Sequence, residues 1–131
     1  MRGQTVTAPN VGGITIKSDE RLKNSFDKLD AYEHAYMELK PVSFKYNNGA
    51  SGRKHFGFGA GQVKSVLENN GFTTKDFAGF VQMNDIIDSE IENPMGLIYT
   101  EFIAWNTHMI QKIIRENITL KERIEKLEGA V

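Results

Sequence analysis

YTEFIAWNTHMIQKIIRENITLKERIEKLE, residues 99–128, contains neither proline nor glycine, and its apolar residues return about every 3.5 positions. That spacing predicts one long helix with an apolar seam. With Ile110, Asn117 and Ile124 at position a, Ile113, Leu120 and Leu127 fall at position d. The charges beside the seam agree with this register: Glu116 at g faces Lys121 at the following e position, and Arg123 faces Glu128. Such pairs attract when identical helices run parallel and in register, so the stretch is expected to join copies of this chain. Ile114 and Ile118 widen the apolar face beyond a strict a/d seam, which fits a wider core than a dimer's, whereas Asn117 at an a position is often found specifying dimers, so the periodicity alone does not choose between dimer and trimer. Packing of the helix inside its own monomer is the alternative reading of the same periodicity.

Upstream of this helix the pattern becomes mixed. From Ser18 to Leu39 apolar residues at 22, 26, 29, 32, 36 and 39 follow helical spacing, with a break near Ser25 and an end before Pro41. Val42 to Tyr46 and His55 to Gly59 read as two strands around the turn Asn47–Gly52. Ala60 to Asn69 reads as a helix stopped by Gly71. Ala78 to Met83 and Leu97 to Tyr99 are further short strands, flanking the polar stretch 84–93. The fold class expected is α+β: a small mixed body followed by a long C-terminal helix that forms a parallel trimeric coiled coil.

Composition narrows the function. At 131 residues with no cysteine, the chain has room for one modest core and no disulfides or thiolate metal sites. Lys and Arg total 16 against 17 Asp and Glu, so no excess positive charge draws it to nucleic acid or to an anionic membrane. No apolar run approaches the roughly 20 residues that span a bilayer, and the opening MRGQTV has no signal-peptide core. His34, His55 and His108 are scattered and read as packing or surface residues; no metal and no cofactor are expected. Gly57-Phe58-Gly59-Ala60-Gly61 lacks the third glycine of a dinucleotide fingerprint at the right offset.

The first sixteen residues, small, glycine-rich and β-branched with almost no charge, differ from the charged chain that begins at Lys17. Val11–Ile16 reads as the last strand of something built upstream. At this junction stands Ser18-Asp19-Glu20-Arg21-Leu22-Lys23. A serine followed by two acids is a helix N-terminus by the simplest reading, with Ser18 as cap and Asp19 and Glu20 complementing the dipole.

Four landmarks carry a resemblance. They are Ser18–Lys23, then Leu39-Lys40-Pro41-Val42-Ser43-Phe44-Lys45-Tyr46, then Gly57-Phe58 with Ala60 and Val63, and last Leu97-Ile98-Tyr99 leading into the helix. In this order they resemble the C-terminal self-cleaving intramolecular chaperone domains of endosialidase tail spikes, phage neck appendages and L-shaped tail fibres. The resemblance implies a serine–lysine dyad, Ser18 and Lys23, and a cut at the Lys17–Ser18 bond. Gly61 stands where related sequences tend to carry glutamine, which leaves Gln62 as a substitute for that side chain in the site.

A serine hydroxyl attacks only when a base removes its proton, and a lysine amine is a base only when burial or a neighbouring cation keeps it neutral; Arg21 is a candidate for that cation. Five residues of regular helix would set Ser18 and Lys23 about 140° apart. The dyad therefore requires an irregular first turn or a neighbouring chain.

The reading as a whole is a division into 1–17, the end of a fibre segment; 18–98, the α+β chaperone body; and 99–131, the coiled-coil helix. Its expected partners are two further copies of itself, making a homotrimer, and the fibre upstream in the same polypeptide, with no nucleic acid and no membrane. The work would be done in the cytoplasm of an infected bacterium: the domain brings three chains into register, cuts itself off once, and leaves the fibre to the phage tail. Aromatic and apolar residues between Phe72 and Met95 are candidates for gripping that fibre. Rival readings are a trimerisation foot that is never cut and a receptor-binding tip.

Overall fold

A computed structural model describes residues 4–5, 15–84 and 91–130 of the chain. Its elements run β1 (Gln4–Thr5), β2 (Thr15–Ile16), α1 (Glu33–Glu38), β3 (Val42–Phe44), β4 (His55–Gly57), α2 (Ala60–Asn69), β5 (Phe80–Gln82), β6 (Met95–Leu97) and α3 (Phe102–Gly129). Short 3₁₀ turns lie at Glu20–Leu22, Asp30–Tyr32, Thr74–Asp76 and Tyr99–Glu101. The strands pair as three separate antiparallel ribbons, β1 with β2, β3 with β4 and β5 with β6. The fold is α+β.

Two-stranded ribbons cannot bury a face by themselves, and the core is made where helices meet. Val63, Val66 and Leu67 of α2, Ala35 of α1, and Phe102, Trp105 and Met109 of α3 form one buried cluster. Tyr32, Tyr36, Leu39, Phe58, Phe72, Phe77 and Leu97 pack around it. Trp105 is the hub. Its ring meets Tyr36, Phe77 and Phe102 at centroid distances of 5.5, 5.3 and 6.1 Å, and its Nε1 donates to the Tyr32 carbonyl at 3.2 Å. The first two turns of α3 thus share the body's core.

α2 ends as its sequence dictates. Gly71 takes φ +82°, a left-handed conformation that costs glycine little. The following Phe72 N–H then reaches back to the Leu67 carbonyl at 2.9 Å and Gly71 N–H to Glu68 at 3.1 Å, a Schellman closure. That closure delivers Phe72 to stack on Tyr32 at 4.3 Å.

Two expectations need correction. The helix expected from Ser18 to Leu39 exists only as α1, Glu33–Glu38, preceded by two 3₁₀ turns. Ser25 has φ +58°, which breaks any helix there. Leu22 and Phe26 are 68% and 66% exposed, so the first half of the apolar spacing has no surface of its own chain to pack on, and amphipathic spacing without such a surface does not stabilise a helix. The last strand is Met95–Leu97 rather than Leu97–Tyr99: Gln82 pairs with Met95 and Phe80 with Leu97, while Tyr99 opens the 3₁₀ turn that leads into α3. Of the expected leader strand Val11–Ile16, only Thr15–Ile16 lies within the described residues, paired with Gln4–Thr5.

Candidate functional site

Ser18 and Lys23 meet. The Lys23 ammonium donates to Ser18 Oγ at 2.6 Å across five positions of sequence. The chain does this by abandoning regular helix: Asp19 is extended (φ −66°, ψ 131°), Glu20–Leu22 make one 3₁₀ turn, and Lys23 is extended again (φ −127°, ψ 164°). Leu22 N–H closes on the Asp19 carbonyl and Lys23 N–H on that of Glu20, each at 3.0 Å. Of the two routes open to the dyad, the irregular first turn is the one the single chain takes.

The cap of this turn is Asp19 rather than Ser18. Asp19 Oδ1 accepts from Arg21 N–H at 2.9 Å and from Arg21 Nε at 3.0 Å, and Oδ2 accepts from Nη2 at 2.7 Å. Arg21 holds the Asp19 carboxyl below its ordinary range, chiefly through the side-chain hydrogen bonds, and is itself raised by them. Arg21 is therefore committed to Asp19. Ser18, Lys23 and Arg21 are all exposed.

Gln62 has other work: its Nε2 donates to the Glu38 carbonyl at 3.0 Å and its Oε1 accepts from Lys40 N–H at 3.3 Å. It fastens the link from α1 to β3, where Pro41 has just removed a backbone donor.

On α3 the side chains divide by face. Phe102, Trp105 and Met109 are buried against the body, whereas Ile110, Ile113, Leu120, Ile124 and Leu127 are 57, 53, 50, 53 and 72% exposed. Asn117 lies among them, also exposed. Ile114 and Ile118 are 52% and 53% exposed, and Ile103, one heptad before Ile110, is 60% exposed. This row of half-exposed isoleucines and leucines along one helix leaves apolar surface open to water.

Sequence reasoning missed the fastening of α3 to α1. Glu33 accepts from His108 Nε2 and from Lys112 Nζ, both at 2.7 Å, with Asp30 3.8 Å from His108. Lys112 first, and then His108, hold the Glu33 carboxyl below its ordinary range, and Glu33 raises Lys112. Ligand atoms of Asp30, Glu33 and His108 lie within 4.8 Å of one another, a metal-like grouping; the Lys112 ammonium already meets the Glu33 charge there. Both partners fall on helix faces 75 and 79 residues from Glu33, a separation that no local spacing signals. Of the apolar residues expected to grip a fibre, Phe72 and Phe77 pack against the core, while Met83 and Met95 are 40% and 43% exposed.

Ser18 and Lys23 thus meet on a small α+β body whose last helix leaves a row of apolar side chains exposed. The family model described as chaperone of endosialidase matches residues 18–72, starting at Ser18. A solved structure described as a novel intramolecular chaperone superposes with a TM-score of 0.56 at 27% identity, covering 75% of this chain and 99% of that one. No curated protein matches. Residues 18–72 are thus similar to the chaperone of endosialidase family, and the fold is similar to that of an intramolecular chaperone.

Proposed function

We propose that this domain assembles three copies of the polypeptide that precedes it into a phage tail fibre and then releases itself by one cut at Lys17–Ser18. The 2.6 Å contact between Ser18 Oγ and Lys23 Nζ carries the reading. In the charged lysine this hydrogen bond runs from nitrogen to oxygen. Once the amine is neutral the same contact runs the other way, and the lysine takes the hydroxyl proton as Oγ attacks the Lys17 carbonyl carbon. The tetrahedral centre collapses by breaking the bond to the Ser18 nitrogen, which receives the proton from Lys23. The acyl group of Lys17 is then an ester on Ser18 Oγ, and water hydrolyses it to a free carboxylate and the restored hydroxyl. Each chain performs this once.

In the single chain Ser18 and Lys23 are open to water, whereas a lysine serves as a base only where water is excluded or a cation lies near. Assembly supplies what is missing. The exposed seam from Ile103 to Leu127 gathers three helices, and the exposed Leu22 and Phe26 beside the dyad are covered as the bodies come together. Three intertwined fibre strands must find register before their non-local contacts repay chain entropy, and a terminal coiled coil sets that register locally. Cutting afterwards removes the element that had eased assembly, so the fibre cannot unfold by the same route and is kinetically trapped.

Intact mass spectrometry of the wild-type chain beside Ser18→Ala, each with light scattering after size exclusion, tests this. A trimer whose wild type loses residues 1–17 while the variant stays whole is the expected result. An uncut wild-type trimer would leave a trimerisation foot, and a monomer would remove the assembly step as well.

A further inference from the structure

Charge is sorted along this chain. Between Glu38 and Glu68 stand Lys40, Lys45, Arg53, Lys54 and Lys64 with no Asp or Glu, and between Lys75 and Lys112 there is no Lys or Arg. The first block contains the β3–β4 hairpin. Lys45, Arg53 and Lys54 are exposed toward its tip, and among the described residues no ion pair includes them. Stacked and edge-on rings stiffen the hairpin: Phe44 meets Tyr46 at 5.3 Å and His55 at 5.7 Å, and Tyr46 meets His55 at 5.1 Å. Phe56, paired with Ser43 on the opposite face of the ribbon from Phe44 and His55, is 88% exposed. A rigid element that presents free cations and an uncovered ring is suited to a surface of opposite charge.

Such a surface lies on the same body. A cleft of about 330 Å³ beside the first turn of α3 is lined by Tyr32, Phe77 and Trp105 and by Asp27, Asp76 and Glu101, with Lys28 as its one cation. Asp76 is occupied in capping Thr73, whereas among the described residues the carboxylates of Asp27 and Glu101 have no ion-pair partner. Burial first, then Asp76 and Asp27, raises the Tyr32 hydroxyl above its ordinary range, so both acids act on the aromatic wall. A cationic side chain seated there would meet carboxylates and ring faces together.

Hairpin and cleft leave α3 on opposite flanks of its seam. Phe102, one residue before the exposed Ile103, stacks at 5.0 Å on Phe58, which directly follows the hairpin. Ala104, one residue after it, lines the cleft. Each step turns the helix by about 100°, in opposite senses from Ile103. When parallel helices pack around Ile103 with rotational symmetry, the hairpin flank of each copy therefore faces the cleft flank of the next.

We propose that the hairpin tip of each copy docks on the acidic, aromatic cleft of its neighbour, Arg53 and Lys54 against Asp27 and Glu101, closing a ring of bodies around the α3 seam. This rests on the assembly step of the reading above and not on cleavage, so Ser18→Ala chains, which stay whole, serve for the test. Isotope-labelled and unlabelled chains are refolded together and treated with a water-soluble carbodiimide, which joins an amine to a carboxylate in direct contact. Peptide mass spectrometry should find Lys54 joined to Asp27 or Glu101 with the two isotopes on opposite sides of the link. Light scattering on dilution gives the second readout. Reversing the hairpin (Arg53→Glu with Lys54→Glu) or the cleft (Asp27→Lys with Glu101→Lys) should each raise the concentration at which the assembly falls apart roughly tenfold at low salt, and less at high salt. Both reversals in one chain should recover most of that loss, as a direct pairing requires. All four positions are exposed, so the core should survive, and near-ultraviolet circular dichroism checks it. Links confined to one isotope, or reversals that leave the dilution midpoint unchanged, would overturn the docking. A hairpin reversal that the cleft reversal does not rescue would give the hairpin another acidic partner and overturn it too. Chains that stay monomeric at every concentration would sink the assembly reading itself, and the docking with it.

Discussion

Gly57 shows how a single hydrogen atom in place of a side chain positions the body. A Cβ there would fall on the Tyr99 hydroxyl and lie 3.2 Å from the Phe44 ring. That hydroxyl is pinned by the neighbouring residue, accepting from Phe58 N–H at 3.0 Å and donating to its carbonyl at 3.3 Å. Tyr99 cannot move without releasing both bonds, so β4 and the lead-in to α3 are coupled through this contact. Gly57→Ala is expected to lower stability by about 1 to 3 kcal/mol, the usual cost of overpacking, read as a fall in thermal midpoint with the cleavage site chemically untouched. Trp105, 4% exposed and in contact with four rings, is the larger loss. Trp105→Ala should cost about 3 to 5 kcal/mol in denaturant unfolding. The candidate dyad was legible at this scale through family resemblance to the Ser18–Lys23 motif, whereas the division of labour within the motif was not. Capping by Ser18 and by Asp19 look alike in sequence, because both are good caps standing side by side. Only the geometry assigns the cap to Asp19 and leaves the hydroxyl free for Lys23.

Among the elements, α2 was legible to its ends because local signals agree: apolar residues on one face and a glycine whose left-handed turn stops the helix. The segment 18–39 misled because periodicity reports a face without saying what covers it. Its Leu22 and Phe26 follow helical spacing and yet point away from the body of their own chain. α3 carries two such faces, one met by α1 and α2 and one left open, so its existence was clear while its docking was not. That docking has an electrostatic component whose pH dependence follows from the shifts. Glu33 is lowered, so its contribution is present above the ordinary carboxylate range and is lost as pH falls through its lowered value. Lys112 is raised, so its contribution is present below the ordinary lysine range and is lost as pH rises through its raised value. Glu33→Gln should therefore reduce stability at neutral pH and flatten the acid limb of the stability profile, measured by urea unfolding across the acid range; an unchanged limb would show that other carboxylates set it.

For the whole molecule, the proposed function predicts that cleavage needs the trimer although Ser18 and Lys23 meet within one chain. The contact between Ser18 and Lys23 is intrachain and built by local turns, so chains carrying Ser18→Ala and chains carrying Lys23→Ala, refolded together into mixed trimers, should not rescue each other. Loss of the seam is a different matter. Replacing Ile113 and Ile124 with asparagine puts polar amides where apolar side chains are to pack, at positions half exposed in the monomer, so the body should fold and the assembly should fail. The turn from Ser18 to Lys23, whose hydrogen bonds among the described residues lie within its own segment, keeps its geometry in such a monomer but stays open to water. The double variant should therefore be monomeric by light scattering, keep its core by near-ultraviolet circular dichroism, and remain uncut for far longer than the wild type needs to process fully. A monomer that cuts itself as fast as the trimer would mean that the turn alone suffices and that release is timed by something other than assembly. Rescue in the mixed trimers would mean that serine and lysine exchange partners between chains on assembly. With neither result, a cis dyad exposed in the monomer and an unfilled helix seam together make the completed trimer the event that permits the cut.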